Sequence, residues 1–435
     1  MARPKKNAAQ AQDALPTLDT VPGIPVEEQP YPLPEGWKWV RLGDCNCYTG
    51  EIVNPHNFPK ETFELYSVPS SAVDYPEIIS GIDIGSSKQA VEQGDVLLCK
   101  INPRINRVWY VTGYTNNKLL ASSEWIIFRN KHISSKYMMF CMKAAYFREF
   151  MLSNVSGVGG SLMRAQPKHV RRYPIPLPPL EVQQRIVERI ESLFAKLDEA
   201  REKAESALES FERRKAAILH KAFTGELTAH SHVSSKWKDK SAEELFTYVT
   251  SGSRGWAKYY AERGSIFIRM GNLSHKSIEL DFSNIQYVLL PHRTEGQRTR
   301  LQKNDILISI TADIGMVGIF RDDTAEAYIN QHIALTRPST NENAEFIAWY
   351  LISDVGLAQL KKKQRGTTKV GLGLDDIRSI HLKMPSLPEQ QEIVRILDRI
   401  FAREQQAREA AENVLQRIDQ MKKAILARAF RGELD

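Results

Sequence analysis

The chain has 435 residues, which is long enough for two or three domains that each bury a core of their own. Its composition, 42% hydrophobic and 26% charged, is ordinary for a soluble protein. The net charge of +7 suits a polyanionic partner but is too common to identify one. No apolar run approaches the roughly 20 residues that a membrane-spanning helix needs, and no apolar stretch follows Lys5-Lys6 as it would in a signal peptide.

The four cysteines, Cys45, Cys47, Cys99 and Cys141, form no CxxC or CxxH pair. This spacing favours reduced thiols in a cytosolic protein over a metal site. We therefore predict a cytoplasmic protein with no bound metal and no cofactor.

Residues 1–32 combine Ala, Gln, Pro and acidic residues with almost no aromatic ones, which predicts a disordered leader. Residues 33–177 then alternate short apolar runs with turn signals, and this pattern predicts a strand-rich α+β domain. The clearest strands are 63–68, 95–99 and 125–128, and a helix is predicted over 137–151.

A long helix is predicted over residues 178–227, followed by a linker at residues 228–235. Residues 236–384 have the pattern of the first domain again, with little identity. A second long helix covers residues 385–435. The predicted strands of the second domain are 265–270, 305–310 and 332–335, and its helix is 346–360. The predicted fold class is therefore α+β, with two strand-rich globular domains separated by two long helices.

The two long helices are copies of one segment. Residues 178–227 and 385–434 align without a gap at an offset of 207, and 23 of the 50 positions are identical. Gly225 and Gly432 are placed where a helix C-terminal cap is expected. Because similar short motifs also recur in the two domains at nearly the same offset, we predict one fold that has been duplicated, with a pseudo-two-fold axis.

Apolar side chains recur along both helices with a period of 3.5 residues, which predicts a coiled-coil seam. Nine of ten seam positions are apolar in each helix. Pseudo-symmetry makes the pairing antiparallel, so the numbers of facing residues have a constant sum. The seam positions of the first helix are 186, 190, 193, 197, 200, 204, 207, 211, 214 and 218, and those of the second helix are 393, 397, 400, 404, 407, 411, 414, 418, 421 and 425.

A sum of 618 would place Arg214 opposite Glu404, the polar member of each seam, and would avoid an unpaired buried charge. The same register opposes large to small residues. The alternative is that Arg214 and Glu404 reach water or a partner protein. Roughly 40 residues at about 1.5 Å each predict a rod near 60 Å that separates two reading domains. The further facing pairs that the sum of 618 predicts are Phe211 with Ala407, Ala200 with Ile418, Ala204 with Val414, and Leu197 with Met421.

These features resemble the specificity (S) subunit of a Type I restriction–modification system. The resemblance covers about residues 33–435 and rests on the two helix entries and the two helix ends. The first copy has Val182-Gln183 where the family has Glu-Gln, which the second copy keeps as Glu389-Gln390. The entries are Ile175–Leu180 and Met384–Gln391, and the ends are Ala222–Leu227 and Ala429–Leu434.

The resemblance implies two target-recognition domains, each of which reads one half of an asymmetric bipartite DNA sequence. It also implies that the helices dock two methyltransferase subunits and, through them, two restriction (translocase) subunits. In this family adenine methylation and ATP-driven cleavage belong to those partners. The sequence agrees, since it has no Asn/Asp-Pro-Pro-aromatic tetrapeptide and no GxxxxGK[ST] loop. We therefore expect a non-catalytic subunit.

Base recognition in DNA needs Arg, Lys, Asn, Gln, Ser or Thr on loops that reach a groove, whereas phosphate contacts need only cations and backbone amides. Each candidate also has a simpler interpretation, as a solvated helix end for the Lys run 361–363 and as a packed side chain for the aromatic residues. The candidates in the first domain are Lys100, Asn102, Arg104, Arg107, Ser161 and Arg164. Those in the second domain are Arg254, Trp256, Lys258, Tyr259, Arg298, Arg300, Lys363, Arg365, Thr367 and Lys369.

The alternative hypothesis is a coiled-coil adaptor that joins two protein-binding domains and does not bind DNA. It accounts for the repeated helices but not for the loops that are rich in Arg and Asn. The bases that would be recognised and the length of the spacer between half-sites do not follow from the sequence.

Overall fold

The computed structural model describes residues 20–153, 155–156, 163–290, 298–365 and 371–434. The chain divides into two compact units. The first unit comprises residues 1–203 and 413–435, and the second unit comprises residues 204–412. Within the described residues, no helix combines the length and the apolar character needed to cross a membrane.

The first unit is built mainly from short strands. Its strands are β1 (Lys38–Arg41), β2 (Ile52–Val53), β3 (Thr62–Tyr66), β4 (Glu77–Ser80), β5 (Lys88–Ala90), β6 (Val96–Cys99), β7 (Val108–Tyr110), β8 (Lys118–Ala121), β9 (Trp125–Phe128), β10 (Val155–Ser156), β11 (Arg164–Ala165) and β12 (Pro174–Leu177). Its helices are α1 (Leu42–Cys45), α2 (Ser135–Lys143), α3 (Ala145–Ser153) and α4 (Pro167–Val170), and the long helix α5 (Leu180–Phe223) begins in it.

The second unit repeats this order of elements. Its strands are β13 (Lys238–Ser241), β14 (Phe246–Ser251), β15 (Tyr260–Ala261), β16 (Ser265–Ile268), β17 (Gln286–Val288), β18 (Ile306–Ser309), β19 (Val317–Ile319), β20 (Ala327–Ile329), β21 (Ile333–Pro338) and β22 (His381–Met384). Its helices are α6 (Ala242–Leu245), α7 (Ala344–Ile352), α8 (Asp354–Lys362) and α9 (Leu374–Arg378), and the long helix α10 (Leu387–Ala429) begins in it.

The sheets of the two units have corresponding topologies. The first unit contains a five-stranded sheet of order β2-β5-β8-β3-β4 and a three-stranded sheet of order β7-β6-β9. The second unit contains four-stranded sheets of order β15-β17-β16-β20 and β14-β21-β18-β19. The parallel pair β3–β8 has its counterpart in the parallel pair β16–β20. The predicted fold class is therefore confirmed.

Each unit also contains the same buried ion pair. In the first unit Arg129 Nη2 donates to Asp95 Oδ2 at 2.6 Å, and in the second unit Arg337 Nε donates to Asp305 Oδ1 at 2.6 Å. Both aspartates are buried, so each carboxylate depends on its arginine for compensation. The two units are therefore divergent copies at the level of individual contacts.

The helix predicted in each domain is broken near its middle. Ala144 separates α2 from α3, and Ser353 separates α7 from α8; both residues have extended backbones, with ψ of 151° and 163°. Ser353 also caps α8, because its Oγ accepts from Gly356 N at 3.3 Å. A β-carbon at Gly356 would lie 2.2 Å from Tyr350 O, so the chain can turn this closely because glycine follows the break. The predictions of one helix over 137–151 and one over 346–360 were wrong in this respect.

The predicted leader is partly structured, contrary to the sequence interpretation. Residues 1–19 lie outside the described residues, but residues 20–32 pack on the first unit. Val21 is buried, and the hydroxyl of Tyr31 donates to Phe430 O at 3.0 Å. The Tyr31 ring lies edge-on to Trp39, with centroids 4.9 Å apart. The composition of the segment does not show that these few apolar residues cover the end of α10.

Within each unit, the segments of α5 and α10 run antiparallel. In the first unit Lys422 Nζ contacts Asp198 at 2.5 Å. In the second unit Arg214 donates two hydrogen bonds to the Glu404 carboxylate, at 3.1 and 3.0 Å. The predicted pairing of Arg214 with Glu404, and with it the sum of 618 at this point, is confirmed.

The remaining seam of α10 has a different phase from the predicted one. Ala407, Val414 and Met421 are exposed, Met421 by 51%, so they do not form the buried seam that the sequence predicts for them. Lys422 lies over the Phe194 ring at 4.9 Å, and its counterpart Lys215 lies over Phe401 at 4.8 Å. The ammonium groups of two equivalent lysines therefore lie over aromatic rings, Phe194 in one unit and Phe401 in the other.

The four cysteines, all within the described residues, are unpaired thiols. Burial, followed by the nearby Asp44 carboxylate, raises the pKa of Cys45 to about 12. Burial likewise raises the pKa of Cys141 to about 12. In the part of the chain that the structure describes, no cluster of three or more His, Cys, Asp and Glu side chains could hold a metal ion.

Candidate nucleic-acid interface

In the first unit the candidate residues begin at the loop that follows β6. Asn102 has left-handed backbone angles, with φ of 50° and ψ of 59°, which Asn tolerates better than most side chains. A short 3₁₀-helix, Pro103–Ile105, follows it. Asn102 and Lys100 are half-buried, and Arg104 is exposed. The left-handed turn therefore directs the chain away from the sheet at a residue whose amide can recognise a base edge.

The two candidate loops of the first unit are brought together by backbone pairing. Asn102 N donates to Met163 O at 3.0 Å, and Ala165 N donates to Lys100 O at 2.9 Å. Arg164 forms an ion pair with Glu124 at 3.0 Å. Lys100, Asn102 and Arg164 consequently lie on one edge, which we call the first edge. Ser161 lies outside the described residues.

Arg107, at the other end of the same loop, belongs to a different surface. It lines a pocket with residues of α2, α3 and α10, and Asn106 Nδ2 donates to Met142 O at 3.3 Å there. Arg104 is tied to α3, since its carbonyl accepts from Arg148 Nη2. The sequence treated the segment from Lys100 to Arg107 as one binding loop, whereas the structure divides it between two surfaces.

In the second unit the corresponding loop follows β18 and was missed by sequence reasoning. Ala312 has φ of 60° and occupies the position that Asn102 occupies in the first unit. Its neighbours are both held by side-chain contacts, because Asp313 pairs with His275 at 2.8 Å and Thr311 Oγ1 lies 2.6 Å from His332 Nδ1. The near-constant offset between the domains could have located this loop, but the small Ala312 side chain gave no chemical signal.

A continuous strip of contacts connects this loop to the other candidates. His332 Nε2 lies 2.7 Å from the Gln331 amide. A β-carbon at Gly252 would lie 2.2 Å from Asn330 O, so the 252–254 loop approaches the turn closely because residue 252 is glycine. Arg298 Nη2 then donates to Ser253 Oγ at 3.1 Å. These contacts bring three loops that are distant in sequence to one edge.

Arg365 is connected to Thr311, and so to the same group of loops, through the backbone of Gly371. Gly371 forms backbone bridges with both Thr311 and Arg365. The guanidinium of Arg365 donates to Asp376 and is otherwise largely exposed. Burial alone would raise the pKa of Asp376, but hydrogen bonds from Gly373 N and Arg365 outweigh it and lower the pKa below the usual value. The second edge, as we call it, comprises residues 252–254, 298, 311, 330–332, 365 and 371.

The remaining candidates of the second unit differ in accessibility. Trp256 is only 6% exposed, and its ring stacks on Phe267 with centroids 4.8 Å apart. Tyr259 is half-buried, and Lys258 lies over its ring at 4.9 Å. Trp256 is therefore a core residue that cannot stack on a base without leaving the core, and we remove it from the candidates. Arg254 and Arg300 are exposed, Lys363 is half-buried at the end of α8, and Thr367 and Lys369 lie outside the described residues.

Arg300 also lines a cationic groove of about 730 Å³ together with Arg298, Lys303 and Arg337. The hydroxyl of Tyr248 donates to Arg298 O at 2.9 Å and fixes the wall of this groove. Asp322 and Asp323 line the same groove, so its positive potential is partly neutralised. The cations of this groove can contact phosphate oxygens without reading a base.

The family model of the Type I restriction modification DNA specificity domain matches residues 34–209 and again residues 234–416. The chain therefore belongs to this family. The double match agrees with the internal duplication seen in the fold.

Named relatives and solved structures are similar to this chain over most of its length. The Type I restriction enzyme EcoBI specificity subunit of Escherichia coli is 27% identical over 288 residues, which are 60% of this chain and 58% of that subunit. The chain thus spans little more than half of that relative. The MjaVIII specificity subunit of Methanocaldococcus jannaschii is 21% identical over 89% of this chain and 92% of its own length.

Two solved chains share the fold. One comes from a study of complex assembly and conformational transition of the type I R-M system; it is 22% identical, has a TM-score of 0.76, and covers 93% of this chain and 100% of its own. The HsdS subunit from Thermoanaerobacter tengcongensis is 22% identical with a TM-score of 0.62, covering 93% and 99%.

Proposed function

We propose that this protein is the DNA-specificity subunit of a Type I restriction–modification system. Residues 33–177 read one half of an asymmetric bipartite DNA site, and residues 236–384 read the other half. The subunit contributes recognition and no catalysis; methyl transfer and DNA cleavage belong to partner subunits. Double-stranded DNA is its ligand.

The observation that carries this proposal is the chemical difference between two equivalent turns. Asn102 and Ala312 occupy the same left-handed position after β6 and β18, with φ of 50° and 60°. In the first unit the position offers an amide that can recognise a base, and in the second unit it offers a methyl group. The residue that precedes β9 or β21 also differs, since Glu124 in the first unit corresponds to His332 in the second. One backbone with two sets of contact groups is what recognition of two unlike half-sites needs.

Exposed side chains along the long helices support docking of methyltransferase subunits there. Leu180, Val414 and Met421 are large apolar residues that are 40–51% exposed. A solvent-exposed apolar side chain on a coiled-coil flank is available to a partner helix. We propose that two methyltransferase subunits bind these flanks and that restriction subunits bind through them. Mass measurement of the assembled complex with Met421→Glu tests this docking, since the variant is expected to lose one methyltransferase subunit while keeping its DNA preference.

Selection from a randomised duplex library, with the full chain and its methyltransferase subunit, tests the DNA-specificity proposal directly. The wild type is expected to select two short sequences at a fixed spacing. Asn102→Ala copies the residue that the second unit has at this turn, so it removes the amide and adds only a small backbone strain of about 1 kcal/mol. It should relax one base position in the first half-site by about 1–3 kcal/mol, or roughly 5- to 150-fold, and leave the second half-site unchanged.

Ala312→Asn is the reciprocal variant and should alter the second half-site alone. Asn116→Ala, an exposed asparagine on another loop of the first unit, is the matched control and should change neither. Binding that depends on salt but selects no sequence would reduce the activity to phosphate contact. No DNA binding at all would favour the coiled-coil adaptor instead.

A further inference from the structure

The first unit contains a pocket of about 660 Å³ between the loop after β6, the α2–α3 pair and the end of α10. We call it the α2–α3 pocket. Two carboxylates, Asp74 and Glu149, line it. Four cations outnumber them, which makes the pocket attractive to a negatively charged group. These cations are Arg107, Lys143, Arg148 and Lys423.

Large apolar side chains lie in the lining of this pocket or beside Asp74, which lines it. The Tyr114 hydroxyl donates to Asp74 O at 3.3 Å, and the Tyr75 and Tyr114 rings lie 4.9 Å apart. A cluster of exposed aromatic and aliphatic side chains beside cations is typical of a protein-binding surface, because phosphate contacts need no apolar ring. Five large apolar residues form this cluster and are 36–74% exposed: Val73, Tyr75, Ile105, Tyr114 and Leu152.

Two buried polar atoms in the pocket lining have no partner among the described residues. They are Asn106 Oδ1, which can accept a hydrogen bond, and Arg148 Nε, which can donate one. Another polar atom of each side chain is already hydrogen-bonded. Asn106 Nδ2 donates to Met142 O, and Arg148 Nη2 donates to Arg104 O. A buried polar group without a partner costs about 1–3 kcal/mol, so a ligand that satisfies these atoms would recover this energy.

The equivalent place in the second unit is closed. Arg148 corresponds to Leu357, and Asn106 corresponds to Gly315; a β-carbon at Gly315 would lie 2.5 Å from Leu357 Cδ1. Lys143 corresponds to Ile352, which is buried in the core of that unit. Aliphatic side chains therefore fill in one copy the space that is open and charged in the other. The α2–α3 pocket is not a general consequence of the fold.

We propose that the α2–α3 pocket is a docking site for an acidic amphipathic helix of a partner protein. A carboxylate of the helix accepts from Arg148 Nε, and an apolar side chain of the helix packs between Ile105 and Leu152. None of the residues of the first edge lines this pocket, so docking is not expected to require DNA.

Fluorescence anisotropy with two labelled helical peptides of about 20 residues tests this proposal on the full chain. One peptide carries Leu on one face and Glu on the other, and the second carries Lys in place of Glu. The Glu peptide is expected to bind the wild type at least tenfold more tightly than the Lys peptide. Lys423→Glu should weaken binding of the Glu peptide at least fivefold, and Ile105→Ser should do the same.

The double variant Asn106→Gly with Arg148→Leu copies the closed arrangement of the second unit. It should retain the fold, checked by its thermal unfolding midpoint, and lose at least tenfold in affinity for the Glu peptide. Lys238→Glu and Leu289→Ser, exposed positions of the second unit, are matched controls that should leave binding of the Glu peptide unchanged. Equal binding of both peptides, or unchanged binding by the double variant, would overturn the proposal. If the double variant weakened a duplex of 20 base pairs instead, the pocket would be a nucleic-acid contact.

Discussion

Glu389 is a buried carboxylate that accepts four hydrogen bonds, and its removal should lower the stability of this protein markedly. It is 1% exposed and lies at the start of α10. Its oxygens accept from Thr228 Oγ1 at 2.6 Å, from Ser235 N and Oγ at 2.7 Å each, and from Trp237 Nε1 at 3.2 Å. Glu389→Ala leaves four donors without their acceptor. Since a hydrogen bond to a charged group contributes about 1.5–3 kcal/mol and water can replace some of these bonds, we expect a loss of about 3–5 kcal/mol.

Urea denaturation of the full chain, combined with hydrogen exchange of residues 228–237, measures this effect. Exchange protection should disappear at the Ser235 amide, which donates directly to the carboxylate. Glu392→Ala is the control, because Glu392 pairs with Arg395 on the surface of the same helix and should change stability by about 0.5 kcal/mol or less. A Glu389→Ala variant within 1 kcal/mol of the wild type, with the linker still protected, would contradict the reasoning.

Three further predictions concern the helices and the first unit. A double-mutant cycle of Arg214→Ala and Glu404→Ala should give a coupling of about 0.5–1 kcal/mol that shrinks in 1 M salt, since both side chains are partly solvated. Burial alone would raise the pKa of Glu64, but hydrogen bonds from Tyr114, Tyr66 and Thr115 outweigh it and lower the pKa. Its stabilisation should therefore be present above the unfolded pKa of about 4.3 and be lost as the pH falls through the lower folded pKa, and Glu64→Gln should flatten that part of the stability profile. Inserting seven residues at matched positions in α5 and α10 keeps the seam and should lengthen the preferred DNA spacer by about three base pairs, as measured by library selection.

The helices and most strands followed from the sequence because each depends on a local pattern. The 3.5-residue period identified α5 and α10, and short apolar runs identified strands such as Trp125–Phe128. The breaks at Ala144 and Ser353 were missed because one residue with an extended backbone interrupts an otherwise continuous apolar pattern. The seam phase was missed for a different reason. Two seams along α10 can have the same average spacing of 3.5 residues and still contain different residues. Which of them is buried depends on the packing of the partner helix.

The glutamine that is repeated at the start of both long helices, Gln183 and Gln390, has the same structural role in each unit. Gln183 Oε1 accepts from Ser134 N at 2.9 Å, and Gln390 Oε1 accepts from Asn343 N at 2.9 Å. Each glutamine therefore ties the start of a long helix to the start of α2 or α7. The preceding position differs because Glu389 holds the linker, whereas Val182 packs against the core of the first unit. The sequence showed the difference at this position, and only the contacts give its physical reason.

The candidate site was less predictable than the fold because recognition depends on residues that are distant in sequence. The second edge needs Ser253, Arg298, His332 and Arg365 at neighbouring positions, and no local pattern relates these residues. Sequence reasoning ranked loops by charge and aromatic content, which favoured the buried Trp256 and passed over the loop at Ala312. Exposure decides between a packed aromatic ring and one that can stack on a base, and exposure is a tertiary property.

The distribution of differences between the two units supports separate roles for the shared scaffold and the variable edges. Contacts that hold the fold are repeated, as in the Asp95–Arg129 and Asp305–Arg337 pairs. The turns at Asn102 and Ala312 both keep a left-handed φ but change their side chains. If the turns served only to connect strands, glycine or asparagine would be expected at both, because a left-handed alanine costs about 1 kcal/mol. The second unit therefore keeps the left-handed turn with a residue that strains it, although the Ala312 side chain offers no hydrogen bond. The groups beside it, Thr311 and His332, are then the ones that the turn presents, and the proposed recognition groups can differ between the units while the fold is kept.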